Sequence, residues 1–308
     1  MSNALIKTTR KLVWYLARTP LIHVWKWIRR LQHLGLVASR KRLLAQLSIS
    51  SLQKSKASFL NANGWVELSD LVDQQLLDRI AKRSDEKLRQ IAENGAEVKQ
   101  ESAHKSFWVR LLDEEKVNGK YPVDNPYVQF ALQDQLIGFL AAYFGNLPQL
   151  DDVLLTYSRP TGNKLSYSQL WHRDYDDTRV VKVFAYLTDV KDREDGPFTL
   201  MQNNRRAASD VIVKSRYSDS SFEARYPNAE IKEFIAPKLT VFAVDTSRCY
   251  HMGSRVMAGR SRLLYTATFV DCPRIYPEPP PRFEAPSRPL GDVVQNVLFP
   301  FQQITVRK

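Results

Sequence analysis

Between Leu21 and Leu34 the apolar residues Leu21, Val24, Trp27, Ile28, Leu31 and Leu34 recur at three- and four-residue intervals, with Lys26, Arg29 and Arg30 on the other side. That interval is the period of an α-helix, so the pattern predicts an amphipathic helix. Thr19-Pro20 supplies its start, with Thr19 as N-cap and Pro20 in the first turn, where a missing N–H does no harm. Ile22 and Trp25 fall on the polar side and blur the pattern. A shorter helix is expected before it, with Leu5, Leu12 and Leu16 on one face and Lys7, Lys11 and Arg18 on the other.

Further on, Gly64-Trp65-Val66-Glu67-Leu68 predicts a short strand, and Ser69 is placed to cap a helix running through Leu76, Ile80 and Leu88. A helix is expected from Tyr127 to Phe144, stopped by Gly145. The texture then changes to strand-like runs: Val153 to Ser158, Tyr167 to Asp174, Val180 to Thr188, Pro197 to Met201, Leu239 to Val244, Ser247 to Met252 and Arg262 to Val270. Many short β-rich segments after a helical half predict a mainly β fold, an antiparallel sandwich or barrel with flanking helices. Seven prolines between 273 and 289 predict an extended C-terminal arm lying over the body. The expected organisation is a helical arm over 1–57, one domain over 58–272 and the Pro-rich arm over 273–308.

Charge divides the chain in the same place. The net charge is +12, yet residues 1–66 hold twelve Lys and Arg with no Asp or Glu, leaving 33 basic against 33 acidic residues in the remainder. A basic arm on a neutral body disfavours a nucleic-acid binder, and no known nucleic-acid-binding module is visible. No apolar run reaches the roughly 18 to 20 residues that span a bilayer. Trp14, Trp25 and Trp27, together with the arm's cations, instead predict docking of residues 1–45 on an anionic membrane surface. Two cysteines, Cys249 and Cys272, give no disulfide framework, which fits a cytoplasmic protein, peripheral on the inner membrane face. Packing on the body or dimerisation are the other roles open to the arm, and the oligomeric state is not legible.

The chemistry is concentrated later. In Ser168-Gln169-Leu170-Trp171-His172-Arg173-Asp174, the period of two places His172 and Asp174 on one face of a strand. His251, 79 residues on, ends another strand-like run. Two His and one carboxylate on one face of a metal is the arrangement of non-haem Fe(II) oxygenases, which leaves coordination positions open. Arg262 follows His251 by 11 residues and opens the apolar strand Leu263 to Val270. A guanidinium there requires a buried anion, because it does not shed its charge by deprotonation. The far carboxylate of 2-oxoglutarate suits it as a bidentate partner. Arg260 shares its face and stays a rival for the role.

The stretches SQLWHRDYDDTRVVKVFAYLTDVKDREDGPFTL and DTSRCYHMGSRVMAGRSRLLYTATFV resemble the phytanoyl-CoA dioxygenase-like family of iron oxygenases. The resemblance covers roughly Phe59 to Val270. It implies a double-stranded β-helix (jelly roll), with His172, Asp174 and His251 as Fe(II) ligands and Arg262 as the 2-oxoglutarate anchor. O2 is the other co-substrate, and succinate and CO2 are the products. Because Asp174 is present, the resemblance implies hydroxylation or another two-electron oxidation rather than halogenation. Two departures stand out: Met201-Gln202-Asn203-Asn204 replaces a Pro-Gly-Ser-His turn, and Gly253 stands where a Ser often assists the co-substrate, with Ser254 as the substitute.

Lys182 is a further candidate for co-substrate or substrate anions, or a snorkelling strand lysine. Trp171, Tyr157 and Tyr167 line a pocket or pack. Asp176 and Asp177 read as a solvated turn, and His23, His33 and His104 have no metal partners at useful spacing. The reading is thus a dioxygenase acting on a small-molecule or lipid-associated substrate, the alternative being a catalytically inactive relative that serves as a binding module.

Overall fold

The computed structural model describes residues 3–93, 107–160, 164–202, 216–284 and 289–301. The chain opens with helices α1 (Asn3–Leu16), α2 (Leu21–Gln32), α3 (Leu34–Gln46) and α4 (Ser51–Asn63). Strand β1 (Trp65–Glu67), helix α5 (Gln74–Glu93), strand β2 (Trp108–Arg110) and helices α6 (Pro126–Ala131) and α7 (Asp134–Phe144) follow. The β-rich half comprises β3 (Pro148–Ser158), β4 (Trp171–His172), β5 (Val180–Tyr186), β6 (Thr199–Met201), β7 (Arg216–Tyr217), helix α8 (Asp219–Arg225), β8 (Ile231–Glu233), β9 (Val241–Asp245), β10 (His251–Met252) and β11 (Arg262–Asp271), before helix α9 (Asp292–Leu298).

Local side-chain chemistry explains where several boundaries depart from the sequence expectation. Ser50 and Gln53 form a reciprocal capping box that starts α4, so the expected opening of the body near Phe59 falls inside a helix. Asp73, not Ser69, caps α5: its Oδ1 accepts from the amides of Gln75 and Leu76, while the Ser69 hydroxyl engages Val241. The single helix expected over Tyr127 to Phe144 is two. At the break the Gln133 amide donates to the Phe130 carbonyl and its oxygen accepts from the Asp73 amide, diverting the backbone from helix. Thr19 does not cap α2, because its hydroxyl donates to Leu16 O. Gly145 does end α7, in the left-handed conformation.

The strands form two antiparallel sheets, a six-stranded one in the order β1-β9-β5-β11-β3-β2 and a five-stranded one in the order β7-β4-β10-β6-β8. Strand β11 is the spine of the larger sheet, paired along its length with β3 on one side and β5 on the other. Alternation along β11 sends Leu263, Tyr265, Ala267 and Phe269 into a core shared with α4 to α7 and α9. Leu264 joins Phe184, Tyr186, Phe242 and Val244 in a second core with Phe198 and Leu200 of the smaller sheet. Because both faces of β11 are covered, its sequence is nearly unbroken apolar residues. The mainly antiparallel, helix-flanked architecture agrees with the sequence expectation.

The N-terminal helices pack on this body. Val13 and Ile22 are buried against Ile275, and the Trp25 indole donates to Ile275 O at 2.7 Å. Lys26, 4% exposed, lies 2.6 Å from Asp177 and donates to the carbonyls of Asp271 and Pro273. Arg30 bridges to Asp271 at 2.7 Å. Arg40 is fully buried and donates to the carbonyls of Leu147, Pro148 and Asn296. Two expectations are corrected here. Asp177 is a buried acceptor, not part of a solvated turn, and the blurred side of α2 (Ile22, Trp25, Lys26) is its docking side. The regular apolar stripe faces outward, with Leu21 60% and Trp27 61% exposed and Val24, Leu31 and Leu34 exposed beside them.

Removing one member of a buried charge cluster strands the others, at about 3–5 kcal/mol. Lys26→Ala is therefore expected to lower unfolding stability by that order in urea titration, whereas Arg30→Ala, whose side chain is 46% exposed, should cost below about 1 kcal/mol. Equal small effects would mean that the arm is not integral to the fold.

Candidate metal centre

His172 on β4 and His251 on β10 are directly opposed in an antiparallel pair. Their ring centroids are 4.2 Å apart. Asp174 lies two residues past His172, its amide donating to Thr246 O at 2.9 Å. The regular strand expected over Tyr167 to Asp174 is confined to Trp171–His172, preceded by a 3-10 turn over Tyr167–Gln169. The period-two relation between His172 and Asp174 survives because one backbone bond carries it past the strand end. One ligand atom from each of the three residues lies within 4.8 Å of the others. His172 Nε2 is 4.0 Å from Asp174 Oδ1, and His251 Nε2 is 3.9 Å from Oδ2.

Backbone carbonyls fix both rings. His172 Nδ1 lies 2.8 Å from Leu170 O, and His251 Nδ1 lies 3.0 Å from Cys249 O. A carbonyl only accepts, so each Nδ1 carries the proton and each Nε2 turns a bare lone pair toward Asp174. That tautomer is the one a metal-binding imidazole uses. Burial lowers the basicity of both rings, and the facing His172 helps bring His251 down to about 3. Burial alone would raise the Asp174 carboxyl, but Lys182 and the two imidazoles outweigh it and hold it below the ordinary carboxylate range. Two neutral imidazoles and a carboxylate are the donor set of a hard-to-borderline divalent cation.

Lys182 reaches across from β5 to lie 2.7 Å from Asp174 Oδ2, off the line of a good hydrogen bond. Its ammonium is thus placed beside the candidate ligand Asp174.

Arg262 is 1% exposed. Its Nη1 donates to Gly196 O, its Nη2 donates to Ser254 Oγ at 2.8 Å, and its Nε has no hydrogen-bond partner. Among the described residues no carboxylate pairs with it, and burial lowers its pKa. Arg260 differs: it is partly exposed and sits among Asp192, Glu194 and Asp195. Arg40, the other fully buried arginine, feels the carboxylates of Asp271 and Glu278. Arg262 is thus a buried cation with hydrogen-bonding capacity to spare. Ser254, in the left-handed conformation at φ 60°, also accepts from Ser158 and so orients the guanidinium. A side chain at Gly253 would come within 3.9 Å of Arg262 Nη1.

Three members of this site were missed in the sequence. Gly196, at φ +66°, gives Arg262 its carbonyl, and an added Cβ would come within 2.9 Å of the Arg255–Val256 backbone, so only glycine fits. The signal lay in Asp195-Gly196-Pro197, a turn that the strand pattern passes over. Tyr186 lies beside Arg262, its hydroxyl donating to Phe234 O. Phe198 stacks on His251, with centroids 5.4 Å apart, and closes the space between the sheets. Trp171 turns the other way, stacking on Phe222, and so packs rather than lining the centre. Asn203, Asn204 and His104 lie outside the described residues.

No protein-family model and no curated protein matches this sequence. Solved structures match it in fold. The epimerase SnoN in complex with Fe3+, alpha ketoglutarate and nogalamycin RO is similar over 72% of this chain and 84% of its own, at 12% identity and a TM-score of 0.50. EctD from S. alaskensis with bound Fe is similar over 85% of this chain and 87% of its own, at 13% identity and a TM-score of 0.50. Its apoform gives 79% and 83%, at 14% identity and the same TM-score. At such identities the likeness is one of architecture.

Proposed function

We propose that this chain is an Fe(II)- and 2-oxoglutarate-dependent dioxygenase of the phytanoyl-CoA dioxygenase-like kind, its two sheets forming a double-stranded β-helix. It hydroxylates a small-molecule or lipid-associated substrate and releases succinate and CO2. The observation that carries this reading is Arg262, a fully buried cation without a counter-anion among the described residues, in the same inter-sheet space as a preorganised His-Asp-His cluster. Burying a charge without a partner is strongly unfavourable, so the site is incomplete without an anion. A dicarboxylate that binds metal at one end and Arg262 at the other completes both halves.

In this reading His172, Asp174 and His251 hold the iron through Nε2, a carboxylate oxygen and Nε2. Iron held there would activate O2, whose four-electron reduction takes two electrons from 2-oxoglutarate, as it becomes succinate and CO2, and two from the substrate. The chain's own residues do the positioning. Arg262, steadied by Gly196 and Ser254, takes the far carboxylate of the co-substrate, and Lys182 orients Asp174 while adding a second cation for co-substrate oxygens. Phe198, Phe184 and Phe242 keep water out of the space between the sheets. A binding module without catalysis has no use for a bare, neutral Nε2 pair facing a carboxylate, which favours the enzyme.

Replacing His172, Asp174 or His251 by Ala should abolish stoichiometric Fe(II) binding in anaerobic calorimetry, together with 2-oxoglutarate-dependent succinate release, with circular dichroism unchanged. Full metal binding by His251→Ala would overturn the ligand assignment. Arg262→Ala should weaken 2-oxoglutarate binding by about 2–5 kcal/mol, the loss of a buried charged contact. Arg260→Ala should leave it within experimental error, since Arg260 already has acidic partners. The reverse order would exchange their roles.

The outward stripe of the arm extends the reading to a membrane-associated substrate. No described helix is long and apolar enough to cross a membrane. Leu21, Val24, Trp27, Leu31 and Leu34 nonetheless present an apolar ridge, and Lys7, Arg10, Lys11, Lys41 and Arg42 are exposed on the same arm. Lys26 and Arg40 are spent inside the fold and Arg30 is paired with Asp271, so the surface attraction rests on the others, at about 1 kcal/mol each near an anionic bilayer. Full-length protein should co-sediment with anionic vesicles but not with neutral ones, and Trp27→Glu with Leu31→Glu should abolish this without unfolding. Equal partitioning of the parent and the double variant would remove the membrane from the proposal.

A further inference from the structure

Behind the metal-ligand strand, between the α1–α2 junction and residues 173–179 and 247–248, lies a cavity of about 310 Å³. Four arginines line it: Arg18 from the arm, Arg173 between two of the candidate ligands, and Arg179 and Arg248. Asp174 and Asp177 are the lining carboxylates, and both are already engaged, by Lys182 and Lys26 respectively. Arg179 is occupied by the carbonyls of Tyr143 and Phe144, and Arg248 by Asn61 and the Tyr143 hydroxyl.

Arg18 and Arg173 are different. Arg173 is 7% exposed, and its contacts are aromatic: its guanidinium lies 5.2 Å from the Tyr250 ring and 5.8 Å from the Tyr175 ring. Arg18 stacks on Trp14 at 3.4 Å and approaches the same Tyr175 ring at 5.8 Å. The Nε atoms of both are buried without a hydrogen-bond partner, and among the described residues neither has a carboxylate. Rings support a guanidinium from its face and leave its edge, with the N–H donors, free. Both guanidinia approach the same Tyr175 ring at the wall of a cavity that already carries an excess of positive charge.

We infer that this cavity is an anion site, taking a phosphate group between Arg18 and Arg173. Two unneutralised guanidinia match a doubly charged tetrahedral anion, which accepts from their edges in charge-assisted bonds. The volume is of the order of the smaller ligand pockets and exceeds what a bare phosphate fills, so the group is carried on a small molecule or a lipid headgroup. The site requires the arm, because Arg18 comes from it, and its two anion-binding groups are distinct from the candidate iron ligands, although Asp174 also lines the cavity.

The test is calorimetric titration of the full-length, metal-free protein with inorganic phosphate in a phosphate-free buffer. Saturable binding should weaken about tenfold or more in Arg18→Gln and in Arg173→Gln, the loss of one charged hydrogen-bonding partner. Arg10→Gln, which alters net charge on the exposed arm alone, should leave it unchanged, as should Arg262→Ala. Arg18-dependent competition by glycerol 3-phosphate identifies a soluble phosphate ester; Arg18-dependent competition by phosphatidylcholine vesicles containing phosphatidate identifies a headgroup. Absence of saturable binding, or binding indifferent to both Arg18→Gln and Arg173→Gln, overturns the proposal. Binding lost only in Arg262→Ala places the phosphate in the inter-sheet site and overturns it equally. Should Arg173→Gln fail to fold, Arg18→Gln decides alone. Loss of 2-oxoglutarate binding in an otherwise phosphate-binding protein would count against the dioxygenase reading only.

Discussion

His172 and His251 face each other across one antiparallel register, and the rest of the centre is arranged around that pairing. The strands involved are only two residues long, too short to hold a register by their own ladder. Neighbours hold it: β10 also pairs with β6, β4 pairs with β7, and the aromatic cluster of Trp171, Tyr217, Phe222 and Tyr250 packs on the opposite face. The histidine rings are then locked by the carbonyls two residues upstream of each, just before the strands begin, the same local device used twice. A slip of one residue in either strand would turn its imidazole outward, putting Trp171 or Arg173 in place of His172, or Tyr250 or Met252 in place of His251.

Buried charge is handled in three distinct ways, and the contrast gives Arg262 its meaning. Lys26 is neutralised by carboxylates that are themselves buried, which ties the arm to the body. Arg40 is held by carbonyls at the ends of β3 and α9, with acids nearby, and serves as a structural clip. Arg262 receives two neutral acceptors and no acid among the described residues, so its charge is unbalanced in the free protein. Of these three arrangements only the last calls for a ligand, as the ring-held Arg173 does on the arm side.

Much of the centre was legible because it rests on the period of two. H-x-D follows from alternation, the distal histidine from its place at the end of another strand-like run and the arginine from a charge opening an apolar strand, although the strand around His172 is far shorter than the pattern implies. What the sequence did not reveal depends on partners remote in the chain. Arg260 and Arg262 share a face in the sequence, and only the acids at 192, 194 and 195 separate a neutralised surface arginine from a free buried one. Asp177 read as solvated because Lys26 lies 151 residues away. Helix α2 was read with its faces reversed for the same reason: Lys26 and Arg29 look like a solvent side until the carbonyls and carboxylates of residues 271–274 supply their partners. An amphipathic pattern identifies a helix with two faces, but which face meets the body depends on what the body offers.

That reversal bears on how the arm and the centre relate. With Lys26 on Asp177 and Arg30 on Asp271, the arm is fixed against the segment 173–179 that leaves the metal-ligand strand and against the end of β11, the strand that begins with Arg262. Alternation at residues 172–175 sends His172 and Asp174 toward the inter-sheet space and Arg173 and Tyr175 toward the arm. One short piece of backbone therefore serves both sides. The arm thus packs directly against the backbone that carries His172 and Asp174, and its basic composition reflects charges spent on this attachment as well as charges left exposed.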